Sequence, residues 1–113
     1  MPKFNPHLAF EKPKTQDEWQ GKALRKTLEY CAENSPFYKE LLKQHKVDIN
    51  NIKGLKDISF LPTTTKGDMQ KDNWKFLCVE TNKVKEYTTT SGTLGKPVTI
   101  ALTAKDLKRL AYN

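Results

Sequence analysis

Tyr87-Thr88-Thr89-Thr90-Ser91-Gly92-Thr93-Leu94-Gly95-Lys96-Pro97 is the stretch around which the chain is organised. Hydroxyl side chains crowd its first half, and a lysine and a proline follow the second glycine. Glycine takes φ > 0 without steric cost, so the backbone N–H groups of such a loop can turn inward. Successive inward N–H groups make an anion-binding concavity. Thr90, Ser91 and Thr93 add hydroxyl donors, Gly92 and Gly95 let the backbone close in, and Lys96 adds a mobile positive charge. These are the parts of a polyphosphate cradle.

The loop differs from a Walker A motif, which has four residues between its glycines and Ser or Thr after the lysine. Here only Thr93 and Leu94 separate Gly92 from Gly95, and Pro97 follows Lys96. The flanks differ as well. Lys83 to Thr89 is alternating and rich in β-branched residues, and Val98-Thr99-Ile100-Ala101-Leu102 has the same character, so both read as strands. The loop then joins two strands of a hairpin, where a Walker loop runs from strand into helix. With helices upstream, the fold class is mixed α/β: N-terminal helices followed by a β-hairpin that carries the loop.

Thr90-Ser91-Gly92-Thr93-Leu94-Gly95-Lys96-Pro97 resembles the phosphate-binding signature of the adenylate-forming enzymes, the acyl-CoA synthetase superfamily. Leu94 stands where many members carry a small polar residue. Phe60-Leu61-Pro62-Thr63-Thr64-Thr65-Lys66 and Ser35-Pro36-Phe37-Tyr38 are similar to the phenylacetate-CoA ligase branch. The resemblance runs from about Leu24 to Asn113 and implies the amino-terminal part of a larger adenylating domain. It implies an enzyme that uses ATP with magnesium to activate a carboxylic acid of aryl-acetate type, then passes the acyl group to coenzyme A, as in phenylacetate catabolism. The loop residues Thr90, Ser91, Gly92, Thr93, Gly95 and Lys96 would bind the ATP phosphates. No catalytic residue and no metal ligand is read within these residues. Related branches with acceptors other than coenzyme A remain open.

The chain has 113 residues, enough for one small domain, yet it stops at Ala111-Tyr112-Asn113 inside a helical pattern without a stop signal. A fragment of a longer enzyme is therefore expected, inactive alone. A hairpin cut from its sheet leaves strand edges and apolar faces that admit a homodimer. The formal net charge is +7, but the 18 lysines are dispersed and only Arg25-Lys26 and Lys108-Arg109 pair adjacent basic residues. No arginine-rich run or aromatic RNA-binding signature appears, so a solvated lysine surface is expected and nucleic acid is not a partner. A non-catalytic basic module binding nucleotides or nucleic acid is the alternative, separable by its steep salt dependence. Cys31 and Cys78 form no CxxC pattern and no disulfide framework. Lys3, Asn5 and His7 interrupt any signal peptide, and no apolar run approaches membrane-spanning length, so a soluble cytoplasmic protein is expected.

Along the chain, residues 1–14 carry three prolines and read as an extended arm. Residues 15–80 read as mainly helical, and 83–113 as strand, loop, strand and helix. Thr15-Gln16-Asp17-Glu18 reads as a capping box opening a helix to about Asn34, with Trp19, Ala23, Leu24, Thr27, Leu28 and Cys31 on its apolar face. Ser35 caps a second helix with Pro36 at its first position, ending near Lys46. Val47 to Phe60 reads as a connector whose Ile49, Ile52, Leu55, Ile58 and Phe60 anchor to the core. Thr65 with Asp68 and Thr103 with Asp106 repeat the capping pattern. Asn73 to Val79 reads as a strand or the loop before one.

Overall fold

The computed structural model describes residues 5–92 and 95–112, which divide into two compact units meeting between Thr63 and Thr64. The Thr93 and Leu94 expectations lie outside the described residues.

In the first unit, α1 (Pro13–Asn34) packs against α2 (Pro36–Gln44). The helix starts two residues before the expected cap. Lys12, with φ −62 and ψ 147, is the N-cap and offers no side-chain bond, so the Thr15 capping box does not form. Pro13 explains this: its ring presets helical φ, and its missing N–H is one the first turn could not have paired. The arm expected over 1–14 is not simply extended either. Leu8–Phe10 forms a 3-10 helix, and the Gln16 amide donates to the carbonyls of Glu11 at 2.8 Å and Ala9 at 3.4 Å. The anticipated apolar face of α1 is half-buried along its length, and Gly21 is its one fully buried residue among those described. A Cβ on Gly21 would lie 3.3 Å from the Gly54 Cα, so the missing side chain sets how near the helix and the following loop approach.

Ser35 is the joint of this unit and is only 1% exposed. Its N–H closes α1 on the Cys31 carbonyl at 2.9 Å, and its carbonyl accepts from the Lys39 N–H at 3.0 Å. Its Oγ accepts from the Tyr38 N–H at 3.3 Å, with Pro36 at the first position of α2, as the sequence indicates. α2 stops at Gln44, two residues short of Lys46, because Lys46 adopts φ 51. The Lys46 N–H donates to the Lys43 carbonyl at 3.1 Å and the Val47 N–H to the Leu42 carbonyl at 2.9 Å. Those two bonds around a left-handed residue are a Schellman ending.

The connector holds two 3-10 helices, Ile49–Asn51 and Leu55–Phe60. Ile52 and Leu42, 3% and 6% exposed, are the buried apolar residues described in this unit. Ile58 and Phe60, expected as anchors, face outward instead. A 3-10 turn repeats every three residues, so Ile58 and Phe60, two apart in Leu55–Phe60, leave it in different directions, and both are open.

In the second unit, α3 (Lys66–Lys71) carries the Thr65–Asp68 capping box. The Thr65 N–H donates to Asp68 Oδ2 at 2.8 Å and the Asp68 N–H to Thr65 Oγ1 at 3.2 Å. The Thr65 N–H, and after it the Thr65 hydroxyl, which also donates to Asp68 Oδ2 at 2.8 Å, hold the Asp68 carboxyl below its ordinary value. Asn73–Phe76 is a 3-10 helix, where a strand or loop was expected. Asp72 ahead of it has φ −152, which ends α3 and restarts the chain as a tighter turn. β1 (Val84–Thr89) pairs antiparallel with β2 (Thr99–Thr103), and the register shifts between Val84 and Glu86. β2 starts at Thr99, one residue later than expected. α4 (Ala104–Tyr112) follows directly, with Thr103 and Asp106 bonded as in the capping pattern. Helices, then a two-stranded antiparallel hairpin, then a helix make an α/β arrangement. Val98, 2% exposed at the base of the loop, is the buried apolar residue described in this unit.

Candidate phosphate-binding loop

The loop between β1 and β2 is closed at its neck by Thr90 and Val98. The Thr90 N–H donates to the Val98 carbonyl at 2.9 Å, and the Val98 N–H donates to Thr90 Oγ1 at 3.0 Å. The Thr90 hydroxyl thus spends one acceptor position on the loop itself and keeps its own proton to donate. Ser91 is exposed just beyond it.

The two glycines are required for different reasons. Gly95 has φ +147, a conformation that side chains rarely adopt. Gly92 lies outside the left-handed region, but a Cβ there would sit 2.7 Å from the Gly95 carbonyl oxygen and 3.2 Å from Pro97 Cδ. The Gly95 N–H meets the Gly92 carbonyl at 3.4 Å, so the two glycines turn against each other. Lys96 is exposed, and no described residue forms an ion pair with it. The structure therefore brings Thr90, Ser91, Gly92, Gly95 and Lys96 to one exposed turn.

Sequence reasoning missed two side chains that hold the C-terminal limb of this loop. Gln70 Nε2, on α3, donates to the Lys96 carbonyl at 2.7 Å. Asn73 accepts from the Thr99 N–H at 2.7 Å through Oδ1 and donates to the Thr99 carbonyl at 2.8 Å through Nδ2. Thr90 and Val98 are the bonded pair at the neck, so by antiparallel alternation Thr99 turns its N–H and C=O away from β1. Asn73 takes the place a third strand would occupy there. Both contacts join residues 26 apart, and nothing local in the sequence announces such pairing. Trp74, next to Asn73, stands edge-on to Tyr87 of β1 with ring centroids 6.0 Å apart.

Among the described residues no group of three or more His, Cys, Asp or Glu could hold a metal ion, and no helix is long and apolar enough to cross a membrane.

The fold is shared with solved structures of CoA ligases. Structures of 2-hydroxyisobutyryl-CoA ligase, in complex with 2-HIB-AMP and CoA, superpose with TM-scores of 0.85 and 0.86 at 19% and 21% identity. They cover 95% of this chain and 26% and 24% of the ligase chains, so the fold is that of a portion of such a ligase. By sequence the chain is similar to phenylacetate-coenzyme A ligases: 35% identical over 94 residues to that of Thermus thermophilus and 33% over 98 residues to that of Aromatoleum evansii. It is also 32% identical over 100 residues to Protein CapK of Staphylococcus aureus. No protein-family model matches the chain. The resemblance to the phenylacetate-CoA ligase branch thus covers 81% and 82% of the chain, and the chain spans only 21% and 22% of those two ligases' length.

Proposed function

We propose that this chain is the phosphate-binding section, amino-terminal in the whole protein, of an ATP-dependent carboxylate–CoA ligase of the phenylacetate type, working in the cytoplasm. The observation that carries the reading is the closed turn at Gly92 and Gly95 with Lys96 exposed upon it, in a chain similar to ligases over four-fifths of its length. The whole protein's reaction has two steps. A carboxylate oxygen attacks the α-phosphorus of ATP, the bond to the β-phosphate bridging oxygen breaks, and pyrophosphate leaves. The thiolate sulfur of coenzyme A then attacks the acyl carbon, and AMP leaves with the bonding electrons.

The loop's part in the first step is to hold the β- and γ-phosphates so that pyrophosphate is oriented as it departs. Thr90 and Ser91 donate hydroxyl protons, and Thr93 belongs to the same reading. Gly92 and Gly95 let the backbone close in, and Lys96 neutralises charge. Magnesium would share that neutralisation; among the described residues no group of three or more His, Cys, Asp or Glu offers it a ligand set, so no ligand is assigned here. The acid is of aryl-acetate type by similarity to the phenylacetate ligases. The similarity to Protein CapK makes the acceptor the part of the reading that assay must decide.

The experiment is carboxylate-dependent exchange of pyrophosphate into ATP by the whole protein, across aryl and alkyl acids, followed by thioester formation with coenzyme A. Lys96→Ala should slow exchange by roughly ten- to a hundredfold, the worth of one charge-assisted contact to phosphate. An unchanged rate makes Lys96 an ordinary surface lysine. The 113-residue chain alone should show no exchange, and exchange above a loop-mutant control would overturn the fragment reading.

A further inference from the structure

We infer that Gln70 and Asn73 are positioning residues for the loop: their side-chain amides clamp its C-terminal limb on both sides of Pro97 and so fix where Lys96 presents its ammonium. The inference rests on the phosphate-binding reading above. Lys96 is the first of the two clamped points, its own carbonyl held by Gln70 at 2.7 Å, and Thr99, held twice by Asn73 at 2.7 and 2.8 Å, is the second. A lysine side chain is long and flexible. What the protein can fix is the Cα from which it departs: the Gln70 bond holds the carbonyl next to that Cα, and the Asn73 pair holds the chain three residues further on.

The residue types suit the task. Thr99 offers one donor and one acceptor on the outer edge of β2, and a primary amide is the side chain that answers both at once. A carboxylate at position 73 could accept from the N–H but would face the carbonyl with a second lone pair. Gln70 approaches Gly95 closely as well: a Cβ on Gly95 would be 3.2 Å from Gln70 Nε2. The glycine with φ +147 thus also leaves room for the amide that holds the next residue. Both amides sit on one short stretch, α3 and the 3-10 helix after it, with a shared offset of 26 residues to their partners. The stretch runs alongside the loop limb as a splint.

The test uses the whole protein and separates its two half-reactions. Gln70→Met and Asn73→Ala should each raise the KM for ATP in pyrophosphate exchange by about three- to tenfold. Thioester formation from a preformed acyl-adenylate and coenzyme A has no pyrophosphate to hold, so neither variant should change it. In a Lys96→Ala background the same substitutions should cost nothing further, because residues that act through one another are not additive. Equal slowing of both half-reactions, full additivity with Lys96→Ala, or an unchanged KM would each overturn the clamp. Absence of any exchange in the unmodified whole protein would instead sink the functional reading. The clamp is then judged by amide hydrogen exchange in the 113-residue chain, where Thr99 protection unaltered by Asn73→Ala would overturn it.

Discussion

Gly92→Ala isolates the close approach on which the loop turn depends. The added Cβ would lie 2.7 Å from the Gly95 carbonyl oxygen, closer than real Cβ contacts come, and 3.2 and 3.3 Å from Cδ and N of Pro97. All three neighbours are main-chain or ring atoms, so no flexible side chain can swing away. Relief needs the Gly92–Gly95 turn to open by a few tenths of an ångström, against the Thr90–Val98 bonds at 2.9 and 3.0 Å and the Gln70 bond to Lys96. Overpacking of this kind costs about 1–3 kcal/mol. The alanine also stiffens the unfolded chain, which offsets about 0.4–1 kcal/mol. The midpoints of those ranges leave a net loss of about 1.3 kcal/mol, a factor of roughly ten in the local opening equilibrium. Amide hydrogen exchange at Thr90 and Val98 in the 113-residue chain reads it directly. Gly54→Ala is the control: its Cβ would meet nothing within 4 Å and its φ is −164, so no loss is expected. Exchange at Thr90 and Val98 that is the same in Gly92→Ala as in Gly54→Ala would refute the argument from close approach.

Ser35→Ala removes a buried N-cap whose Oγ accepts from Tyr38, and the chain should lose about 0.5–2 kcal/mol, read as a lower midpoint in urea. Lys46→Gly acts the other way. The left-handed φ of 51 costs a side chain about 1–2 kcal/mol, the extra freedom of unfolded glycine returns about 0.4–1, and a net gain near 0.5–1 kcal/mol is expected in the same assay. Asp68 has its folded pKa below the ordinary 3.8 through its bonds to Thr65, so the cap on α3 is fully present above that value. Its contribution should be lost as pH falls through the lowered folded value. A carboxyl carbon titration of Asp68 with its midpoint at or above 3.8 would contradict this.

Sequence and structure agree where the cause is local, and part where it is not. Ser35-Pro36 and Thr65 with Asp68 could be read because a cap bonds within three residues, so every partner is visible in one window. Thr15 with Asp17-Glu18 has the same pattern and fails, because Pro13 two residues earlier had already started the helix. The end of α2 was misplaced for a similar reason. Nothing marks Lys46 as left-handed, since glycine is the usual signal there. The hairpin was legible from its two alternating runs and the glycine loop between them. The contacts of Gln70 and Asn73 were not, because they reach 26 residues along the chain and involve main-chain partners that carry no residue code. The apolar expectations divide on the same line. Periodicity locates a stripe but not what covers it: Ile52 is buried, while Phe60, Trp74 and Tyr87 of the described residues remain more than half exposed. Trp74 and Tyr87 share one surface through their edge-on contact, beside the Asn73 that completes the edge of β2. The loop's glycines and lysine thus follow from its own sequence, whereas the backbone that carries them is held by side chains no local reading would have chosen.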